Sequence, residues 1–456
     1  MNYMILSAIS GIMLVLAFPK FGIYPLAYVA LVPLLLALRR SRSIFDAALC
    51  GMLFGAIFFG GVLFWLNTLS RWAGPWANIS WMSLAVFQAL FLAVFAGTSK
   101  YISKYSRKLD IIMTPLLWTA VEWTRSLGPF GVTGGGLGYS QTSFLPILQL
   151  ASLAGIYGIT FLIVMVNEAV VEFVVDKNMK VLAAAFLILI MVIGFGEYRI
   201  NAFRDTGKGI KIAVVQGNIP QDEKMDFRSI YRIVDDQEIL SKKALTSKPD
   251  IIIWPETAVT TYLFDSVMIR AQIADLVEKS RAYYLIGTPY REGDKIYNSV
   301  AAFSKNGDYL GRYDKQRLVP FGEYLPLRPL LYPVLRDLSL FEKDYDSGRD
   351  PRIIDLGIAK VGAVICFEST FPRTVKDKIK RGAQFILVAT NDAWFFDSAA
   401  PYQHIEAAQM RAAENGVYVV QAANTGISAI IDPLGRVVKR TGVGRTEILS
   451  GTIFVH

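Results

Sequence analysis

The feature that most constrains this chain is the uneven spread of its charge. Residues 1–190 carry 12 of the 47 basic and 6 of the 38 acidic side chains, and the remaining 266 residues hold the rest. A stretch so poor in charge cannot supply the polar surface of a soluble domain, so it reads as a set of bilayer-crossing helices. The remainder has the charge density of ordinary soluble protein. A length of 456 residues allows two or three domains.

Seven apolar segments are expected to span, at about 4–18, 23–38, 47–68, 79–98, 110–124, 145–171 and 180–196. The first is short enough to resemble a signal peptide. It lacks a basic leader and is followed directly by further spans, so it is read as a retained helix. Alternate loops differ in charge. One set contains Arg39, Arg40, Arg42, Lys100, Lys104, Arg107, Lys108, Lys177 and Lys180; the other contains only Lys20, Arg71 and Arg125. The positive-inside rule then places the amino terminus in the cytoplasm and everything after about residue 197 outside it. The expected organisation is a transmembrane domain over 1–197, a linker over 198–209 and an extracytoplasmic domain over 210–456.

The net charge of +9 falls largely between apolar segments, where it signals topology and gives no phosphate-binding face, so no nucleic-acid partner is expected. Residues 126–141 are rich in glycine but contain no G-x-x-x-x-G-K-[ST] pattern, which excludes a phosphate-cradling loop. A mobile loop folding along the membrane surface toward the outer domain is expected there. The segment 324–345, rich in Leu, Phe, Tyr and Pro, is a second candidate to admit lipid.

From Ile210 the pattern becomes β-rich. KIAVVQGNI, DIIIWPE, AYYLIGTPY, NSVAAFS, AKVGAVICFE, AQFILVATND, VYVVQAAN, SAIIDP and GTIFV are strand candidates, with helices over 227–246, 266–281 and 401–415. The continuous apolar runs suit strands covered on both faces, as in a layered α/β domain. Asn306-Gly307 and Pro433-Leu434-Gly435 mark hairpin turns.

Only two cysteines and two histidines are present, Cys50, Cys366, His404 and His456. No disulfide framework follows. A Ser-His-Asp triad and a His-rich metal site are both disfavoured, and no metal or organic cofactor is expected. Three strand-end motifs remain: WPETA at 254–258, YDKQRLVPFGEYLP at 313–326 and ICFE at 365–368. Taken singly, each has an ordinary reading as a turn carboxylate, a solvated loop lysine or a small buried thiol. Together, Glu256, Lys315 and Cys366 make an acyl-transfer set that needs no histidine. A thiol requires a base, which Glu256 supplies; Lys315 and the Phe367 backbone N–H can stabilise the developing oxyanion.

The order WPE, DK, CFE in a β-rich region resembles the nitrilase superfamily, whose fold is an α/β (αββα) sandwich. With the preceding apolar segments the chain resembles the membrane-anchored apolipoprotein N-acyltransferase family, as do GYSQ at 138–141, VQGNIPQ at 215–221, YNS at 297–299, VPFGEYLP and TNDAWF at 390–395. The expected fold class is therefore a multi-pass α-helical membrane domain joined to a nitrilase-like α/β domain. The resemblance implies Glu256 as general base, Lys315 as the transition-state lysine and Cys366 as nucleophile. It also implies Glu323 as the group that positions Lys315 or the incoming amine, Phe367, Glu368 and Asn298 as pocket residues, and Asn391, Asp392 and Trp394 as part of a pocket-side loop. Met225 stands where the family often has tryptophan, with altered packing of an acyl chain the expected result. Family members commonly end in a further membrane helix, whereas this sequence stops at SGTIFVH with no apolar span after the last strand, so a domain tethered at its amino-terminal side is expected.

The implied reaction is a ping-pong acyl transfer in a bacterial inner membrane. A membrane phospholipid acylates Cys366, and the α-amino group of a diacylated apolipoprotein takes the acyl chain. The lipid bilayer is thus both anchor and partner, and an anchor of this size favours a monomer. Two rivals are a membrane-anchored amidase that hydrolyses a small amide and a non-enzymatic receptor that keeps the fold.

Overall fold

The structure is a computed structural model and describes residues 2–335 and 343–456. The chain divides into two compact units, Met1–Phe203 and Arg204–His456.

The first unit is helical. Ile44–Val62, Trp76–Ser103, Ala151–Asp176 and Met179–Ala202 are long and apolar enough to cross a membrane, and Tyr3–Leu16 is a shorter apolar helix. Ser43 caps the helix that follows it, exchanging hydrogen bonds with Asp46 in a capping box. The expected span at 23–38 is not one helix. A short turn at Tyr24–Leu26 and a single helical turn at Ala27–Ala30 precede the nine-residue helix Val32–Arg40. Pro25 and Pro33, which lack the N–H that a continuous helix needs, lie at the starts of two of these pieces.

Of the glycine-rich segment 126–141, residues 127–130 are exposed as a surface loop would be, but residues 135–141 are buried. Leu137–Gln141 forms a buried 3-10 turn inside the helical unit. Its backbone is held by polar side chains of the helix Asp110–Arg125: the Leu137 N–H donates to Glu122 at 2.8 Å, and Arg125 donates to the Gly134 carbonyl at 2.7 Å. Glu122 also accepts from Trp118 and Thr160. Irregular backbone amid apolar helices survives only when its polar groups are paired in this way.

Among its described residues the second unit contains twelve strands: β1 Lys208–Gln216, β2 Ile251–Ile253, β3 Tyr283–Glu292, β4 Lys295–Phe303, β5 Tyr309–Asp314, β6 Ile354–Asp355, β7 Lys360–Ile365, β8 Phe385–Thr390, β9 Tyr418–Ala423, β10 Ala429–Ile431, β11 Val437–Arg440 and β12 Glu447–Val455. They form two six-stranded sheets with orders β12-β1-β2-β3-β4-β5 and β11-β10-β9-β8-β7-β6. Strands β1, β2 and β3 run parallel, as do β7, β8 and β9.

Period-two alternation decides which face each residue joins. Ile212, Val214, Ile251, Ile253 and Leu285 of one sheet meet Ala363, Ile365, Phe385, Leu387 and Val420 of the other in a single buried core. The intervening residues Ala213, Val215, Ile252 and Ile286 pack outward under Ile230–Ala244 and Val267–Ser280. On the second sheet, Val364, Ile386 and Val388 pack outward against Val375 and Ile405 of the helices Pro372–Lys380 and Ala400–Asn415. The result is a helix–sheet–sheet–helix sandwich, the nitrilase-like architecture. Each large side chain buried in these layers contributes about 1.5–3 kcal/mol. Both glycine turns identified in the sequence close hairpins: Gly307 lies between β4 and β5, Gly435 between β10 and β11, each at positive φ.

Candidate active site

Strands β2, β5 and β7 carry the three motifs just beyond their carboxyl ends. Trp254 is fully buried and donates its indole N–H to Ser241 at 2.8 Å, so Glu256 emerges at a fixed point beyond β2. Lys315 follows β5, and its backbone N–H donates to the Asn298 carbonyl of β4 at 2.8 Å, extending the ladder by one step. Cys366 follows β7 directly, at φ +52°, where the chain turns sharply into a 3-10 turn over Cys366–Thr370. A left-handed cysteine stores about 1–3 kcal/mol of strain and must be held by its surroundings.

Glu368 does much of that holding. Its carboxylate accepts from the N–H groups of Ile365 at 2.8 Å, Gln316 at 2.7 Å and Arg317 at 2.9 Å, and from the Tyr313 hydroxyl at 2.9 Å. These contacts bind the bend after β7 to the loop after β5, so Lys315 and Cys366 are fixed by one buried anion. Phe367 is half-buried and stacks edge-on against Phe371 at 4.9 Å.

The charged centre is built around Lys315. Its ammonium is 2.9 Å from Glu323 and 3.8 Å from Glu256. The Asn298 amide donates to both carboxylates, at 2.8 Å to Glu256 and 3.1 Å to Glu323. Glu323 is aimed by its own loop: the Val319 N–H donates to its second oxygen at 2.8 Å, and the Glu323 N–H returns to the Val319 carbonyl at 2.9 Å.

Burial pushes the Glu256 carboxyl above its ordinary range, with Lys315 opposing the shift. Burial works against the Lys315 ammonium, but Glu323, Glu256 and Cys366 outweigh it and hold it protonated far into the alkaline range. Burial raises the Cys366 thiol well above its usual value; Glu256 adds to the rise and Lys315 counters it. At rest the site therefore holds a thiol, a carboxylate of raised proton affinity and a fixed cation. Moving the proton from sulfur to Glu256 leaves the net charge of the group unchanged, which is how a buried site can form a thiolate at modest cost.

Other residues proposed from the sequence are placed differently. Asn391 is buried in an amide chain, donating to Gln221 at 2.9 Å and accepting from Asn424 at 2.9 Å. Trp394 ends the turn Asp392–Trp394 and is half-buried. Met225 ends the short helix Gln221–Met225 with nearly half its surface exposed, and no polar contact joins it to the charged centre.

Two features were missed in the sequence. Lys224 reaches back to donate to the Glu256 carbonyl at 3.1 Å, and burial lowers its pKa to about 7, against the pull of Glu256. Its neighbour motif NIPQ was recognised, but a lysine in a polar turn gives no sign of being drawn inward. The second is a buried Asp392–His404 pair next to Cys366.

This fold and strand-end constellation define a carbon–nitrogen hydrolase domain, and residues 211–455 match the Carbon-nitrogen hydrolase family. Residues 10–169 match the Apolipoprotein N-acyltransferase N-terminal domain. The chain is 33% identical over 468 residues to the apolipoprotein N-acyltransferase of Geobacter metallireducens, covering 98% of this chain and 89% of that protein. The corresponding protein of Methylococcus capsulatus is 32% identical, with 99% of this chain and 90% of the relative covered. That of Haemophilus influenzae is 30% identical, with 95% and 85% covered. A solved structure, Saccharomyces cerevisiae Nit3 of the nitrilase superfamily, matches 56% of this chain and 93% of its own at 20% identity and a TM-score of 0.44. The chain belongs to the apolipoprotein N-acyltransferase family, and is a bacterial membrane protein of the acyltransferase class.

Proposed function

We propose that this protein transfers an acyl chain from a membrane phospholipid to the α-amino group of a diacylated cysteine at the amino terminus of an apolipoprotein, through a thioester on Cys366. The observation that supports this most is the Glu256–Asn298–Lys315–Glu323 cluster, in which the charges of Glu256 and Lys315 act on the Cys366 sulfur. Glu256 accepts the thiol proton as sulfur attacks the ester carbonyl. Lys315 and the Phe367 N–H face the oxyanion, and Glu256 returns the proton to the departing lysophospholipid alkoxide. In the second half the amine attacks the thioester, loses a proton to Glu256, and expels the cysteine sulfur. Thiolate is a better leaving group than alkoxide, so the intermediate is primed for the amine.

Lipid substrates suit the surface near the site. Phe321, Leu327 and Leu330 expose most of their side chains along the segment that carries Glu323. Several large apolar side chains exposed along one short segment suit contact with lipid. Part of the candidate lipid-admitting segment, 336–342, lies outside the described residues. The loop charges support a cytoplasmic amino terminus, with the catalytic domain on the periplasmic side of the inner membrane, and the size of the anchor supports a monomer.

The test is mass spectrometry of a diacylated lipopeptide incubated with the full-length protein and phospholipid in detergent. The expected product is heavier by one acyl chain, with an equivalent of lysophospholipid. Cys366→Ala should abolish both, and Cys50→Ala should leave both nearly intact. Free fatty acid without acylated peptide would instead identify a hydrolase.

A further inference from the structure

A second buried cluster sits beside Cys366, and the acyl-transfer scheme does not use it. Asp392 has no exposed surface, and its Oδ1 lies 2.7 Å from His404 Nδ1. The Thr390 hydroxyl also donates to that oxygen, at 3.2 Å, and lies 3.5 Å from His404 Nδ1. The other oxygen, Oδ2, has no hydrogen-bond partner among the described residues. Gly426 closes over it so tightly that a Cβ there would lie 1.9 Å away. Thr390 ends β8, and the parallel pairing of Ile365 with Ala389 makes it the neighbour of Cys366 across the two strand ends.

Two donors thus share one oxygen, and the His404 contact at 2.7 Å is the shorter, the Thr390 contact at 3.2 Å the weaker. A threonine has a single hydroxyl proton, which can go to Asp392 or to the sulfur but not to both. With the His404 N–H on Oδ1, that oxygen holds the hydroxyl only weakly, and the hydroxyl can turn to the sulfur. Without that N–H, the carboxylate, already short of partners on Oδ2, captures it. An Asp392 charge without its histidine would also repel a thiolate.

We propose that the buried Asp392–His404 pair is a positioning device for Cys366: His404 engages Asp392, which frees the Thr390 hydroxyl to donate to the thiolate sulfur. The electrostatics agree in sign. Among the groups acting on the thiol, Asp392 raises its proton affinity and the Thr390 hydroxyl lowers it. Burial disfavours the His404 imidazolium, but Asp392, and more weakly Glu256, outweigh this and raise its pKa; Lys315 opposes them. The groups that face the pair are thus Asp392 beyond β8, Glu256 beyond β2 and Lys315 beyond β5, with the Phe395 ring edge-on at 6.5 Å. The role is one of positioning, because neither residue is asked to touch substrate.

This inference rests on Cys366 being the acylated residue. The test uses full-length protein in detergent with Cys50→Ala, so that only Cys366 can react, and follows its iodoacetamide labelling against pH. In His404→Ala the labelling midpoint should rise by about one pH unit, a roughly tenfold slowing below it. Thr390→Val should do the same, and the double variant should add little. Asp392→Asn should move the midpoint the other way, which general damage to the fold would not do. His404→Asn, which keeps a donor at the Nδ1 position, should restore part of the shift. Unmoved midpoints in His404→Ala and Thr390→Val, or an upward shift in Asp392→Asn, would overturn the proposal. A parallel incubation with radiolabelled phospholipid separates the premises. Hydroxylamine-sensitive label on Cys366 with unmoved midpoints rejects the role of the pair alone; absence of that label rejects the nucleophile as well.

Discussion

The ammonium of Lys315 stands 2.9 Å from the Glu323 carboxylate, closer than the 3.8 Å that separates it from Glu256. Glu323 is therefore its main ionic partner, and Glu256 stays free to move a proton. Glu323→Gln keeps the shape of the loop and removes the charge that steadies Lys315. Lys315 would then lean toward Glu256, binding the base in its ionised form and weakening its pull on the thiol proton. The expected result is a fall in kcat of about 10²–10³, of the size seen when one electrostatic partner of a transition state is lost. Single-turnover acylation by phospholipid measures it, and a variant within threefold of the parent would remove Glu323 from the charged centre.

Glu256 titrates above the usual carboxylate range because it is buried, and the Asn298 amide at 2.8 Å is one of the groups that limit the rise. The base must be ionised to accept the thiol proton, so acylation should fail as pH drops through this raised value. Asn298→Ala deletes a donor to the ionised form. The proton affinity of Glu256 then increases, and the acidic limb of kcat/KM should move to higher pH by about half a unit to one unit. A limb that moves to lower pH, or stays in place, would mean that Asn298 acts on another group.

The sandwich was legible because most of its strands are continuous apolar runs buried on both faces, and because the Glu256 and Cys366 motifs directly follow two of them. Lys315 follows β5, which carries no such run, and stands out only through its order between the other two. The strands that escaped notice are β5, β6 and β11. β5 interrupts its apolar residues with Gly311 and Arg312, β11 lies largely exposed, and β6 has only two residues, so none carries a hydrophobic run. Two hairpin turns nevertheless marked where β5 and β11 begin. The helical region was legible in the position of its apolar segments but not in their continuity, since Pro25 and Pro33 break one of them. With only two histidines in the chain, nothing in the sequence marks His404. Its contact with Asp392 arises only when the helix Ala400–Asn415 folds back over the end of β8, and nothing in the spacing of the two residues announces that.

Glu368 has a structural use that can be measured apart from catalysis. Three backbone N–H groups and the Tyr313 hydroxyl converge on its buried carboxylate. Glu368→Gln would place an amide donor among donors and remove the charge that strengthens them, costing about 3 kcal/mol. Tyr313→Phe loses one donor and leaves the acceptor otherwise satisfied, costing about 1 kcal/mol. Thermal unfolding in detergent should rank parent, Tyr313→Phe and Glu368→Gln in that order of decreasing Tm.

Gly287 of β3 offers a test of how closely Glu256 must be placed. A Cβ at this position would lie 2.1 Å from the Pro255 carbonyl oxygen and 2.8 Å from Glu256 Cα, both of them backbone atoms. Neither can swing aside as a flexible side chain could, so Gly287→Ala should push the WPE segment outward. The Val259 N–H, which donates to the Gly287 carbonyl at 3.1 Å, ties the following turn to the same strand and limits how the chain can relax. A displacement near 1 Å at a reacting group costs about 10²-fold in rate. The expected phenotype is a kcat for thioester formation reduced by about that factor, with KM for phospholipid little changed, because the lipid-facing side chains are untouched. A rise in KM at constant kcat would instead place Glu256 in lipid binding, and would remove it from the proton transfer.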